Sequence, residues 1–392
     1  MVRITAAILF ATLATARTGA GVSHPELPPL LGPHPVGTIS LQLTDYARVE
    51  GPVTGNVSTP ASPRPRRVMV SVFYPTTNTS LANGNFTRAP YFPSPVTAGA
   101  FSSFIGNSSE LLHIATRAYE GAPMARGVVN ASVLVFSHGL GSSRLVHAAQ
   151  LANIASHGWV VVAPDHPYDA LITQFDDGTV VTMPDSVLDD FPNELPTLVD
   201  TRVLDVEFVV ASLKNSSFLS QLPGKPPFLN ATAVGVLGHS LGGYTAAQTV
   251  ANVSYVPCGL NYDGGIFGAV AATGLDKPFL QVGASNHNQT TDTTFSDFWG
   301  KLRGFRREFT VNNTVHASFL DLPVLRDVLG DAFPPSLRNQ TGTVNGARIL
   351  QIEAGLVNSF FKFCLSGRGS SAKLDSVAKS FSPDITAREG LW

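Results

Sequence analysis

From residue 132 onward the chain alternates short, unbroken apolar runs with longer stretches whose apolar positions recur every three or four residues. "SVLVFSHG" (132–139), "WVVVAPDHP" (159–167) and "AVGVLGHS" (233–240) are of the first kind. "SRLVHAAQLANIASHG" (143–158), "LPTLVDTRVLDVEFVVASLKN" (195–215) and "LGGYTAAQTVAN" (241–252) are of the second. The continuous runs predict strands buried on both faces, and the helical spacing predicts the helices that cover them. Further strands are predicted at "CGLNYDG" (258–264), "PFLQVGAS" (278–285) and "REFTVNN" (307–313), and a closing helix at "NGARILQIEAGLVNSFFKFCL" (345–365). Upstream, "VGTISLQLTDYAR" (36–48) and "RRVMVSVFYPT" (66–76) read as strands joined by a Pro/Gly/Ser loop. Residues 77–127 hold turn residues and one weakly amphipathic piece, "AFSSFIGNSSELLHIATRAY" (100–119). The alternation implies an α/β fold with a mostly parallel central sheet and helices on both faces. No internal repeat or linker splits it.

The ends read differently. Arg3, the apolar run "ITAAILFATLATA" and Ala14-Thr15-Ala16 have the form of a signal peptide over 1–16. Residues 17–35, rich in Pro and Gly, are expected to form an irregular arm, 36–365 the single domain, and 366–392 a C-terminal tail. Asn56, Asn78, Asn85, Asn107, Asn130, Asn215, Asn230, Asn252, Asn288, Asn312 and Asn339 each open an N-x-[ST] glycosylation sequon. No apolar stretch after the leader approaches the ~20 residues that span a bilayer. A secreted, extracellular glycoprotein is expected.

Composition narrows the partners. The net charge of −2 gives no bulk attraction to nucleic acid or acidic lipid. Charged residues are 14 %, against about 25 % in a typical domain, so Ser, Thr, Asn or attached sugar must supply much of the polar surface. The two cysteines, Cys258 and Cys364, are too few for a metal site without clustered His. They read either as one disulfide tying the last helix to the core or as two buried thiols, and the disulfide is expected. No metal and no cofactor are called for.

The chemistry sits where a strand turns into a helix. Gly238-His239-Ser240-Leu241-Gly242 matches G-x-S-x-G, the nucleophile elbow, in which small neighbours let a strained turn project the serine. The chain order that goes with this elbow is serine, acid, histidine. Beyond Ser240 only His287 and His316 remain. His316 follows the last predicted strand, whereas His287 lies in a polar loop and reads as solvated; His316 is the preferred base. Asp263, Asp276, Asp292 and Asp297 lie between. Asp263 ends an apolar run at the C-terminal edge of the sheet, where sites gather. Asp276 falls at the wrong strand end, and Asp292 and Asp297 lie in a segment that reads as surface. Asp263 is therefore the candidate acid, with a plain turn aspartate as its bland reading. The backbone N–H groups of Leu241 and Leu140 are the candidate oxyanion donors. His138 is expected to pin the Leu140 loop.

With "SHGLG", "GHSLGG", "LNYDG" and "TVHASF" in place, the chain resembles the secreted platelet-activating factor acetylhydrolase family of α/β-hydrolases from about residue 36 to 365. Cutinase-like polyesterases are similar but carry their acid one strand later, where this chain reads "QVGASNHNQ" without a carboxylate. The resemblance implies Ser240 as nucleophile, Asp263 as orienting acid, His316 as base, and Leu140 and Leu241 as oxyanion donors. It also implies an ester substrate with a short acyl group on a phospholipid. Leu241 and Gly264-Gly265 stand where family members often have aromatic residues, so the resemblance does not carry over the shape of the acyl pocket. The segment 97–118 is a candidate for interfacial lipid contact, with the sequon at Asn107 against it. The same triad would serve a tailoring hydrolase or acyl transferase acting on an ester or lactone of a small natural product. From another class, the fold would also serve a non-catalytic binding protein.

Overall fold

The computed structural model describes residues 25–51, 64–105, 108–189 and 191–388. The leader expected over 1–16 lies outside them, as do Asn56 and Asn107. Among the described residues the strands are β1 (Val36–Val49), β2 (Pro65–Pro75), β3 (Arg88–Pro90), β4 (Ala115–Glu120), β5 (Ser132–Ser137), β6 (Val160–Pro164), β7 (Ile172–Gln174), β8 (Val180–Thr182), β9 (Asn230–His239), β10 (Cys258–Tyr262), β11 (Phe279–Ala284), β12 (Arg306–Val311) and β13 (Ile385–Ala387). Eleven form one sheet in the order β13-β12-β11-β10-β9-β5-β6-β2-β1-β4-β3, and β7 pairs with β8 apart from it. The centre, from β12 through β6, is parallel. Antiparallel pairs lie toward the two edges.

Side chains that alternate along a strand leave on opposite faces, so an unbroken apolar run feeds two cores. In β5, Val133 and Val135 join one buried cluster and Leu134 and Phe136 the other. β6 divides likewise, with Val160 and Val162 against Val161 and Ala163. The helices Phe191–Ser212 and Leu241–Asn252 cover the first face. Ala148–Ala155 and Gly346–Cys364 cover the second. At roughly 1.5–3 kcal/mol for each fully buried aliphatic side chain, this double core is what makes the sheet a rigid base for the loops at its C-terminal edge. Among the described residues no helix is long and apolar enough to cross a membrane.

Two expectations change. The piece 100–119 divides into helices Pro95–Ile105 and Ser108–Leu111 and then the strand β4, which together with β3 went unpredicted. The segment 366–392 is not a loose tail over its described part. It folds into the helix Ser371–Ser380, whose Leu374 and Ala378 are fully buried, and into β13, which extends the sheet beside β12. The ion pairs Arg307–Asp375 at 2.8 Å and Arg348–Asp384 at 2.7 Å fasten it. The described part of the N-terminal arm also packs: Leu27 is buried, and the N–H of Leu31 donates to Asn153 Oδ1 at 3.0 Å. Cys258 and Cys364 form a disulfide between the start of β10 and the end of the helix Gly346–Cys364.

Candidate active site

β9 ends at His239, and Ser240 turns the chain into the helix Leu241–Asn252 with φ 56° and ψ −122°. That left-handed backbone is strained for a residue with a Cβ. The space around it explains the glycines. A Cβ on Gly238 would stand 2.3 Å from the carbonyl oxygen of Gly242, and one on Gly242 would stand 1.9 Å from that of Ser137. The Ser240 N–H donates to the Tyr262 carbonyl at 2.8 Å, which ties the elbow to the end of β10.

Asp263 follows β10 directly, also at positive φ (57°), and is fully buried. His316 opens the short helical turn His316–Phe319 after β12. Its Nδ1 faces Asp263 Oδ2 at 2.6 Å, and 53 % of its side chain is exposed. His239, buried beneath it, donates from Nε2 to the His316 carbonyl at 3.0 Å; burial and the neighbouring His316 hold this imidazole well below its ordinary value, hence neutral. Ser240 and His316 line one cavity of about 200 Å³. Its walls are apolar, among them Phe101, Ile105, Leu140, Val146, Leu171 and Leu322. Leu140 thus stands in the cavity with Ser240, and Leu241 is the first residue of the helix after it.

His287 and Asp292 depart from their sequence reading. His287 is not a solvated loop residue: its Nδ1 lies 3.1 Å from Asp263 Oδ1 and its Nε2 2.5 Å from Asp292 Oδ2. Asp292 caps the helix Thr293–Lys301 by accepting from the Thr294 N–H at 2.7 Å. The sequon residue Asn288 beside them is buried, and its Nδ2 donates to the Ser285 carbonyl at 3.1 Å. Asp263, His287 and His316 bring their ligand atoms within 4.8 Å of one another, the donor set a divalent ion would use. Both histidines face Asp263 at hydrogen-bonding distance from Nδ1, so the set is already closed without an ion.

The loop after β5 rests on charges that the motif search missed. Arg202, fully buried in the helix Phe191–Ser212, grips Asp169 with Nε at 2.6 Å and donates from Nη1 to the His138 carbonyl and to Ser137 Oγ. Asp169 returns its carbonyl to the Gly141 N–H at 2.9 Å. His138 Nδ1 donates to the Gly139 carbonyl at 2.7 Å while Nε2 accepts from the His166 N–H at 3.2 Å. Burial and the Arg202 charge push His138 well below its ordinary value, consistent with this neutral tautomer. Asp205 backs the layer through Arg66 and His166: burial alone would raise its carboxyl, but these partners hold it far below the usual range. The available signal was Arg202 itself, a charge on the apolar stripe that carries Leu198, Val199 and Val206. Behind the cavity wall, fully buried Asp321 accepts from the N–H groups of Ala149 and Gln150 and from the Tyr91 hydroxyl. Among the described residues no cation pairs with it, and burial raises its carboxyl to about 7.

A strained serine after the third strand of the parallel centre, a buried carboxylate one strand on and an imidazole bound to it define an esterase of the α/β-hydrolase type. The chain belongs to the alpha/beta hydrolase family, whose model matches residues 134–354. The model of platelet-activating factor acetylhydrolase, isoform II, matches residues 19–182, which makes the chain acetylhydrolase-like within that family and a carboxylic ester hydrolase. It is 29 % identical to a probable 1-alkyl-2-acetylglycerophosphocholine esterase of Arthroderma benhamiae, across 94 % of this chain and 97 % of that one. The platelet-activating factor acetylhydrolase of Cavia porcellus is 24 % identical, with 57 % of this chain and 56 % of that one aligned. Among solved structures, a ferulic acid esterase from Streptomyces cinnamoneus superposes with a TM-score of 0.76 and 29 % identity, covering 94 % of this chain and 100 % of that one.

Proposed function

We propose that the protein is a secreted glycoprotein that hydrolyses a short-acyl ester of a phospholipid through Ser240, His316 and Asp263. The observation that carries the reading is the 2.6 Å contact between His316 Nδ1 and Asp263 beside a strained serine in one small apolar cavity. His316 takes the Ser240 proton as the hydroxyl oxygen attacks the ester carbonyl. Asp263 holds the ring with Nδ1–H toward it and stabilises the imidazolium. The N–H groups of Leu140 and Leu241 receive the developing oxyanion. The imidazolium then protonates the leaving alcohol, leaving an acyl-enzyme. Water, deprotonated by the same His316, releases the acid.

Cavity size sets the acyl preference. In an open groove each further buried CH₂ contributes about 0.8 kcal/mol, so kcat/KM climbs with chain length. A cavity of about 200 Å³, lined by Phe101 and Ile105 among others, stops that gain early. The phospholipid part rests on the names of the aligned relatives. Secretion is supported by the disulfide, at home in an oxidising compartment, and by exposed sequons at Asn78, Asn85, Asn130, Asn215, Asn252 and Asn339. A second reading, an aryl or natural-product ester, is favoured by the full-length likeness to a ferulic acid esterase.

One experiment addresses these points. Protein collected from the medium of a eukaryotic host, mass-checked for a lost leader and glycosidase-sensitive mass, is assayed on esters of graded acyl length. Acetyl and butyryl p-nitrophenyl esters and an acetylated phosphatidylcholine should be cleaved well, and palmitoyl esters poorly. Preference for long-chain triglyceride sinks the short-acyl reading. Activity on aryl esters with none on any phospholipid selects the second reading.

A further inference from the structure

Asp263 is held from two directions. Oδ2 faces His316, while Oδ1 accepts the Ala284 N–H at 2.6 Å and lies 3.1 Å from His287 Nδ1. The far nitrogen of His287 meets Asp292 Oδ2 at 2.5 Å. A ring with a carboxylate oxygen at each nitrogen needs a proton on both, which is the imidazolium. Phe295 packs edge-on against that ring, with centroids 4.8 Å apart, and only 22 % of the side chain is exposed. The rings of His287 and His316 are 6.4 Å apart.

We propose that His287 is a positioning residue: a ring anchored by Asp292 that locks the Asp263 carboxylate toward His316 and sets a positive charge beside the site. The proposal rests on His316 being the base. Among the described residues, the ionisable groups facing His287 are Asp263 after β10, Asp292 at the cap of Thr293–Lys301, His316 after β12 and His239 at the end of β9. Burial alone would drive the His287 ring down, but the two carboxylates outweigh it and raise it to about 9, so the cation persists through neutral pH.

The test compares pH profiles on a soluble aryl ester for the wild type, His287→Gln and Asp292→Asn, with melting curves to establish that each is folded. His287→Gln removes a cation beside His316, so the acid limb of kcat/KM should move up by about half a pH unit or more. Its kcat should fall about tenfold as Asp263 loosens, with KM nearly unchanged. Asp292→Asn frees the far nitrogen of His287 and should lower kcat by less than His287→Gln, again with KM nearly unchanged. A merely structural tie would lower activity without moving the limb, and an unmoved limb in folded His287→Gln overturns the proposal. If His287→Gln does not fold, Asp292→Asn decides: an unchanged kcat there overturns the proposal. His316→Ala runs alongside: if it retains activity, the assignment of the base fails, and not only the role of His287.

Discussion

On one side of Ser240 the loop Ser137–Gly141 stands on charges that water does not reach, and on the other His316 keeps 53 % of its side chain exposed. Side chains of Arg202, Asp169, Asp205, Arg66 and His166 are all 3 % exposed or less, and each charge has a partner within hydrogen-bond distance. His287 and Asp292 are 22 % and 27 % exposed. On the roles proposed for Leu140, Leu241 and His316, the difference follows from the two jobs. Oxyanion donors help only if they already point at the developing charge and need not reorganise, which buried ion pairs enforce. A base must meet the serine, the leaving alcohol and the attacking water in every turnover, which burial would forbid.

The largest effect should come from the open side. Ser240→Ala or His316→Ala should lower kcat by roughly four to six orders of magnitude, and Asp263→Asn somewhat less, in steady-state assays of folded protein. Loss of activity in His287→Ala with retention in His316→Ala would reverse the roles of the two histidines. The next tests the closed side. Arg202→Met leaves Asp169 buried without its partner and frees the His138 carbonyl, and should cost about 3–5 kcal/mol in urea denaturation along with most activity. Arg202→Lys keeps the charge but not the two-pronged grip, and should retain more of both. If Arg202→Met is as stable and active as the wild type, the layer under the loop is not what fixes it.

The smallest effect concerns pH. Asp321, on the open side but behind its wall, has a carboxyl raised in the folded state to about 7. Between its unfolded value near 4 and 7 the folded protein holds the extra proton, so this residue's contribution to stability declines as pH rises through that window. Asp205 has the opposite sign: held low in the fold, its contribution is kept at neutral pH and declines only as pH falls below the unfolded value. Urea denaturation at pH 5 and pH 7 should therefore show a shallower fall with pH in Asp321→Asn than in the wild type. Equal slopes would mean that Asp321 is ionised throughout.

The strand runs and the elbow were legible because they are local. Ser240 needs only its neighbours, and Gly238 and Gly242 are required by backbone atoms that stand within 2.5 Å of where a Cβ would go. Asp263 and His316, 53 residues apart, could be nominated from chain order, and the structure brings them together. What escaped were pairings with no local pattern. Arg202 and Asp169 belong to elements 33 residues apart, and nothing in either stretch names the other. His287 looks like a loop residue because its burial comes from Phe295 and from Asp263 just past the end of β10. The helix Ser371–Ser380 was overlooked because its apolar side rests on few positions, such as Leu374 and Ala378.

The two outermost strands, β3 and β13, are three residues each. A sheet edge is a row of unpaired N–H and C=O groups, on which a strand of another chain can add. Here β3 contributes Pro90, which has no N–H to offer, and β13 gives way after Ala387 to Arg388, engaged with Glu308 at 3.1 Å. β12, six residues long, would be the rim without that cover. The last described strand of the chain thus works as a guard against aggregation: it covers the rim of β12 with a strand too short to template intermolecular β-pairing.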